Sequence, residues 1–437
     1  MSSFVRASKF RHVYCDPPKT ENTFTNFRLA TVTGEQNYIK ANPYYFAVSL
    51  SGGGGPVAVL PLDKPGRMET SIPAIAGHTA AVLDFEFNPF HDQLIMTASE
   101  DTTIKVWQIP EGGVTENINT PLVDLAGHSR KVTLLRAHPT AENVLASVSS
   151  DHCVKLWDIA KGTEINSLDT AHEQLIQDIV WDYTGALYAT SSKDKHIRLM
   201  DARTAAVANK IETAHEGAKS MKLTFLGHMD KLVSVGFTRQ SQRQFKIWDP
   251  RNTAAALEKV EIDQAAGVIM PFFDPDTSLL YLAGKGDGNV RFYELTNDAP
   301  YAYSLSDYRS QVSAKGMAMV PKRGVNVMAC ETTRLLKLTT NSVEPLSFFV
   351  PRKSDSFQDD IYPDTASNEA AHTADEWLAG FDKPPKMMSL NPALKPAGGG
   401  APTTKKFVAA KSAAVLQQEL DAANARIKEL EEKLAAA

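Results

Sequence analysis

Short runs in which apolar residues alternate with polar ones recur through the first 350 positions. Ile104-Lys105-Val106-Trp107 alternates cleanly and Val82-Leu83-Asp84-Phe85-Glu86-Phe87 partly. A period of two puts successive side chains on opposite faces of a strand. Tyr44 to Leu50 and Val57 to Leu60 read as two more strands, joined by Gly52 to Gly55 as a hairpin loop. Asn289 to Glu294 supplies another, and Val325 to Cys330, Leu335 to Leu338 and Leu346 to Val350 supply the last three. After Val350 the pattern changes. A short helix is expected around Glu369 to Ala379, and residues 407–437 contain neither Gly nor Pro and fit a heptad.

A longer period organises the strands. Gly77-His78 precedes Val106-Trp107, and Gly127-His128 precedes Leu156-Trp157-Asp158. Ala171-His172 precedes Leu199-Met200-Asp201, and Ala214-His215 precedes Ile247-Trp248-Asp249. His and the Trp-equivalent position lie 29, 29, 28 and 33 residues apart. Asp101, Asp151 and Asp194 each stand six residues before Trp107, Trp157 and Met200. This is the spacing of WD repeats, each a four-stranded propeller blade. In such a blade the turn Asp accepts from the His, the His bonds a Ser or Thr hydroxyl, and that hydroxyl receives the Trp indole N–H. The count gives an all-β fold, a seven-bladed WD-repeat propeller over 1–350. An N-terminal strand around Phe10 to Tyr14 closes the ring through the last blade.

Residues 351–390 are too apolar for a free tail, with Phe357, Ile361, Tyr362, Trp377, Leu378 and Phe381, and are expected to pack back onto the propeller. Residues 391–406 hold three prolines and Gly398-Gly399-Gly400. Such a linker spans about 20–25 Å as a random coil. Beyond it Ala413, Leu420, Ile427 and Leu434 fall at heptad position a, and Leu416, Ala423, Leu430 and Ala437 at d. Arg426 at g and Glu431 at the next e bridge neighbouring chains. A coiled coil that joins copies of the chain is expected, with a single amphipathic helix docked on the propeller as the alternative.

Charge and chemistry narrow the function. A net charge of −5 argues against a general nucleic-acid binder but allows a local basic patch. No run of 18 apolar residues is available to cross a membrane. Cys15, Cys153 and Cys330 have neither disulfide-framework nor zinc spacing, which points to reduced thiols and no metal. His-Glu-x-x-His, Cys-x-x-Cys and Gly-x-Ser-x-Gly patterns do not occur. Gly284-Lys285-Gly286-Asp287-Gly288 imitates a phosphate loop, yet it sits between strands where a hairpin turn needs such residues. Neither enzyme activity nor a cofactor is expected.

Several blocks resemble the coronin family: Ser8-Lys9-Phe10-Arg11-His12-Val13, Ser192-Lys193-Asp194-Lys195, Ala214-His215-Glu216-Gly217-Ala218 and Phe273-Asp274-Pro275-Asp276-Thr277-Ser278. More specific still are Pro351-Arg352-Lys353-Ser354-Asp355 and Gln358-Asp359-Asp360-Ile361-Tyr362-Pro363-Asp364-Thr365, which generic WD proteins lack. Arg426-Ile427-Lys428-Glu429-Leu430-Glu431 is similar to the pattern of trimeric coils, including that of coronins. The resemblance implies F-actin binding by the propeller, and homo-oligomers, trimers favoured, through the coil. It also implies partnership with the actin-related-protein nucleating complex and cofilin, at the cytoplasmic actin cortex. The family's actin-contacting arginine lies in an apolar-Arg-apolar strand of the first blade, which here reads Phe27-Arg28-Leu29. Arg6, Lys9 and Arg11 make the start of the chain locally basic and join Arg28 as candidate actin contacts. The alternative is a general WD-repeat scaffold for other protein partners in membrane trafficking or signalling.

Overall fold

The structure, a computed structural model, describes residues 6–354, 356–394 and 407–409. Each WD repeat folds into an antiparallel sheet, as in the second blade with Val82–Phe87, Leu94–Ser99, Thr103–Gln108 and Val123–Ala126 from centre to rim. Seven blades form an all-β propeller. Among the described residues five are four-stranded, the first is three-stranded, and the seventh is extended to six strands by segments from the start of the chain. Inner strands of successive blades touch one another around a central channel. The second strands, such as Leu94–Ser99 and Val144–Ser149, are buried along their whole length. Both faces of each sheet pack on a neighbouring blade, so these strands carry little polar alternation.

The ring closes through the N-terminus, by a strand that begins at the last residue of the expected stretch, Tyr14, and runs two residues past it. Tyr14–Asp16 pairs antiparallel with Ser347 to Phe349 of the last blade, and Phe24–Thr25 pairs with Ser342 and Val343. Phe10 does not pair. The Val13 N–H donates to the Phe10 carbonyl in a turn, and the Phe10 ring packs against the apolar cluster of the sixth and seventh blades. A second expectation is corrected in the last blade, whose inner strand is Gly316–Val320 and not Val325 to Cys330. The latter segment forms a 3-10 turn at Val327–Ala329. Asn326 caps it, accepting from the Ala329 N–H, and Cys330 follows in the left-handed region at φ 58°. Pro321 and Gly324 interrupt the chain just before it, removing a strand donor and admitting the turn.

Hydrogen-bonded chains hold the blades at their upper face. In the second blade Trp107 donates to Thr97 at 2.8 Å, Thr97 meets His78 Nε2 at 2.7 Å, and His78 Nδ1 meets Asp101 at 2.8 Å. The third blade repeats this with Trp157, Ser147, His128 and Asp151. Burial pushes both histidines below their ordinary range, so they act as neutral relays. Burial opposes ionisation of Asp101, but bonds from Thr103 and the Thr79 N–H hold it at about 2. The glycine of each Gly-His exists for the Trp: a Cβ on Gly77 would stand 2.6 Å from the Trp107 ring. The fourth blade departs from the expected chain. Asp194 pairs with Arg198 at 2.6 Å instead of His172, and His172 keeps only Thr190 at 3.2 Å. In the fifth, Gln244 replaces the Asp, meeting His215 at 3.0 Å, while Ser234 joins His215 and Trp248.

Residues 356–390 cross the lower face as a strap. Ile361 is fully buried, and the Tyr362 hydroxyl donates to the Glu331 carbonyl of the seventh blade. Further along, His372 bridges Ala141 of the third blade. The helix there is shorter than expected, Ala374–Leu378, because Thr373 and Glu376 close a capping box at its start. It buries Trp377 completely against His138 and Trp181. Arg203 locks it by donating to the Trp377 carbonyl at 2.6 Å and lying over the indole.

Beside the strap, burial and the neighbouring Asp274 push the Asp276 carboxyl up to about 6. The folded state therefore holds a proton there that the unfolded chain releases near pH 4. Stability is expected to fall as pH rises from about 4 to about 6 and to level off above. Asp276→Asn should flatten that decline in melting temperature measured across the same range. An unchanged pH profile would show that Asp276 does not set it.

Candidate partner-binding surface

Arg28 reaches solvent because its neighbours do not. Phe27 is buried and Leu29 partly so, both in the apolar cluster that joins the seventh and first blades. In extended backbone adjacent side chains point oppositely, which turns Arg28 outward. The Phe27 N–H donates to the Asn341 carbonyl at 3.1 Å, the Ser51 N–H to the Arg28 carbonyl at 2.8 Å, and the Ala30 N–H to the Ser49 carbonyl at 3.0 Å. Arg28 thus lies on the crossover between two blades, with Leu29 bridging Leu50, and not within a strand of the first blade. Asn26, at φ 75°, turns the chain off the outer strand and makes that crossover possible. Among the described residues Arg28 enters no ion pair.

The other basic candidates are held elsewhere. Arg6 pairs with Glu294 and lies 4.2 Å over the Tyr303 ring of the sixth blade. Lys9 donates to the Asp360 carbonyl at 2.9 Å on the strap, and Arg11 donates to the Arg6 carbonyl. The first dozen residues contain no acid, but the fold brings acids to them from positions 294 and 360. Arg28 and the N-terminal basic residues therefore do not form one free cluster.

Just after Arg28 the chain runs over the upper mouth of the channel, where residues 30–38 are latched from three distant blades. The Glu35 carboxylate accepts from Ser220 at 2.6 Å and pairs with Lys222 at 3.0 Å. Lys222, itself buried, also donates to the Glu35 and Gln177 carbonyls at 2.7 and 2.6 Å. Lys285 donates to the Gln36 carbonyl at 2.7 Å and Lys315 to the Ala30 carbonyl at 2.5 Å, both beside the Tyr38 ring. Although burial opposes it, the lysine and serine hold the Glu35 carboxyl below its usual range. Burial and the charge of Lys222 push Lys285 down to about 7. No local pattern announced these residues, since the partners lie some 185 or more positions apart. The Gly284 to Gly288 loop is likewise committed to the fold. Lys285 takes loop carbonyls, and Asp287 accepts from Arg243 at 2.9 Å.

Below the latch the channel narrows to a cavity of about 260 Å³ whose charges compensate one another. Arg136 bridges Asp178 at 3.0 Å and Asp84 at 3.4 Å, and Lys40 pairs with Glu86. No cluster of His, Cys, Asp and Glu suited to a metal ion occurs among the described residues. The three cysteines are free thiols, and no helix among the described residues is long and apolar enough to cross a membrane. The surface offers shape, charge and rigidity.

Residues 69–108, 119–158 and 162–201 match the WD domain, G-beta repeat, and residues 343–385 match another type of WD40 repeat. Residues 3–67, which include Arg28 and the latched loop, match a domain of unknown function, DUF1899. Coronin-A of Dictyostelium discoideum is 48% identical over 391 residues, covering 89% of this chain and 87% of the relative. The chain belongs to the coronin family. The WD40 domain of Toxoplasma gondii coronin superposes on this coronin with a TM-score of 0.83 at 32% identity, covering 87% of this chain and 98% of that one. A chain of the mitotic checkpoint complex, 16% identical with a TM-score of 0.59 over 81% of this chain and 98% of its own, shares the propeller fold alone with this coronin.

Proposed function

We propose that this coronin binds actin filaments through its propeller, with Arg28 in the contact, and links them by association of its C-terminal segments. The observation that carries the reading is the placement of Arg28. A solvent-facing guanidinium without an ion-pair partner among the described residues is fixed between buried Phe27 and partly buried Leu29, in the motif that the family uses against actin. Actin is acidic, so a rigid cation can steer the encounter although the whole protein is negative. Lys9 and Arg11 contribute at the margin, and Arg6 acts mainly by anchoring the N-terminal segment to Glu294.

Multivalency is assigned to residues 407–437. Leu416, Leu420, Ile427, Leu430 and Leu434 form its seam, with the Arg426 and Glu431 pair selecting a trimer. Positions 410–437 lie outside the described residues. Partners in the same reading are the actin-related-protein nucleating complex and cofilin, and the place of action is the cytoplasmic actin cortex.

Co-sedimentation with actin filaments tests the division of labour. The full chain should pellet more strongly than a chain shortened to end at Lys406, because linked sites gain effective concentration. Both should bind less at higher salt, as screening weakens an exposed charge contact. If neither pellets, the filament reading fails and the propeller serves other protein partners.

A further inference from the structure

We propose that the upper mouth of the channel is a binding site for an acidic peptide segment of a protein partner, anchored by an apolar side chain. A cavity of about 450 Å³ opens there, with Leu83, Leu175, Ile176 and Val268 among its lining and with Lys131, Lys193 and Lys219 around it. Leu175 is 44% exposed, beside Leu83 and Ile176, which are buried. Sites for small or extended ligands combine such an apolar floor with a few convergent polar groups.

Charge chooses the occupant. Glu35 supplies the carboxylate in the cavity lining, and Lys222 and Ser220 already hold it. Lys219 has a carbonyl partner, that of Ala266, and the Phe237 ring. Lys131 meets Glu100 at 3.3 Å in a pair that is largely open to solvent. Lys193 enters no ion pair among the described residues. Three cations therefore stand around an apolar floor, and two of them, Lys193 and Lys219, enter no ion pair among the described residues. An acidic segment answers the rim, and a leucine or phenylalanine within it answers the floor. No aromatic side chain lines the cavity to stack a base.

The latch gives the site its rigidity. One wall is residues 33–36, and Ser220, Lys222 and Lys285 hold that wall from the fifth and sixth blades. A wall already fixed loses little freedom when a peptide seats against it. Arg28 is not part of the lining, so the site does not depend on the filament contact.

Fluorescence anisotropy with the full chain and a labelled peptide, Asp-Glu-Asp-Leu-Phe-Glu-Asp-Glu, tests this. The intact protein should bind it saturably and more weakly as salt rises. The double variant K193E/K219E and the single variant Leu175→Asp should each lose at least about tenfold in affinity, and Arg28→Asp should lose nothing. Unchanged melting temperatures would show that the variants fold. The proposal is overturned if the intact chain shows no saturable binding, or if the double variant binds as well as the parent. Equal affinity for a peptide with Gly-Gly in place of Leu-Phe would also overturn it, since only general charge attraction would remain.

Discussion

Trp107→Ala should destabilise the propeller by about 3–5 kcal/mol, the range for truncating a large buried aromatic side chain. Trp107 has no solvent exposure and fills the space left open by Gly77. Its loss leaves a cavity inside the second blade. It also removes the N–H that Thr97 accepts, at one end of the chain that runs through His78 to Asp101. Trp107→Phe keeps most of the ring and loses that bond, so it should cost less than the alanine. Denaturant unfolding of the two variants beside the parent measures both effects. A change below about 0.5 kcal/mol for Trp107→Ala, the scale of an ordinary surface substitution, would contradict its place in a packed blade.

Arg28→Asp should weaken filament binding by about 10- to 100-fold, as charge reversal does at a central interface contact. The fold should not register the change. The side chain is exposed, and the backbone bonds from Ser51 to Arg28 and from Phe27 to Asn341 do not involve it. A melting temperature within about 2 °C of the parent is expected, since surface substitutions stay near 0.5 kcal/mol. Parallel losses of binding and stability would make Arg28 a structural residue. Arg6→Ala separates the two roles from the other side. Arg6 already pairs with Glu294 and covers Tyr303, so its removal should loosen the N-terminal segment more than it alters an encounter with a filament.

Much of the propeller was legible because a WD blade is a local object. The strand Thr103–Gln108, the turn around Asp101 and the Gly-His before them fall within about one repeat period. Where the repeat degenerates, legibility drops. The inner strand Gly316–Val320 went unread, while Val325 to Cys330, apolar enough for a strand, folds as a capped turn. Asp194 occupies the expected position yet answers to Arg198, whose charge four residues on competes with the relay histidine.

The sequence by itself determined the count of seven blades and, in the second and third blades, the Trp, hydroxyl, His and Asp that hydrogen-bond to one another. Those features follow from spacing, from side-chain alternation and from which polar groups need partners once buried. Tertiary structure decided what faces outward. It joined Glu35 to Ser220 and Lys222, gave Glu294 to Arg6 and Asp360 to Lys9, and left Arg28 on a crossover between blades. A ring returns distant segments to one another. The charge of any surface point therefore depends on residues contributed by several blades, and no window along the chain contains them.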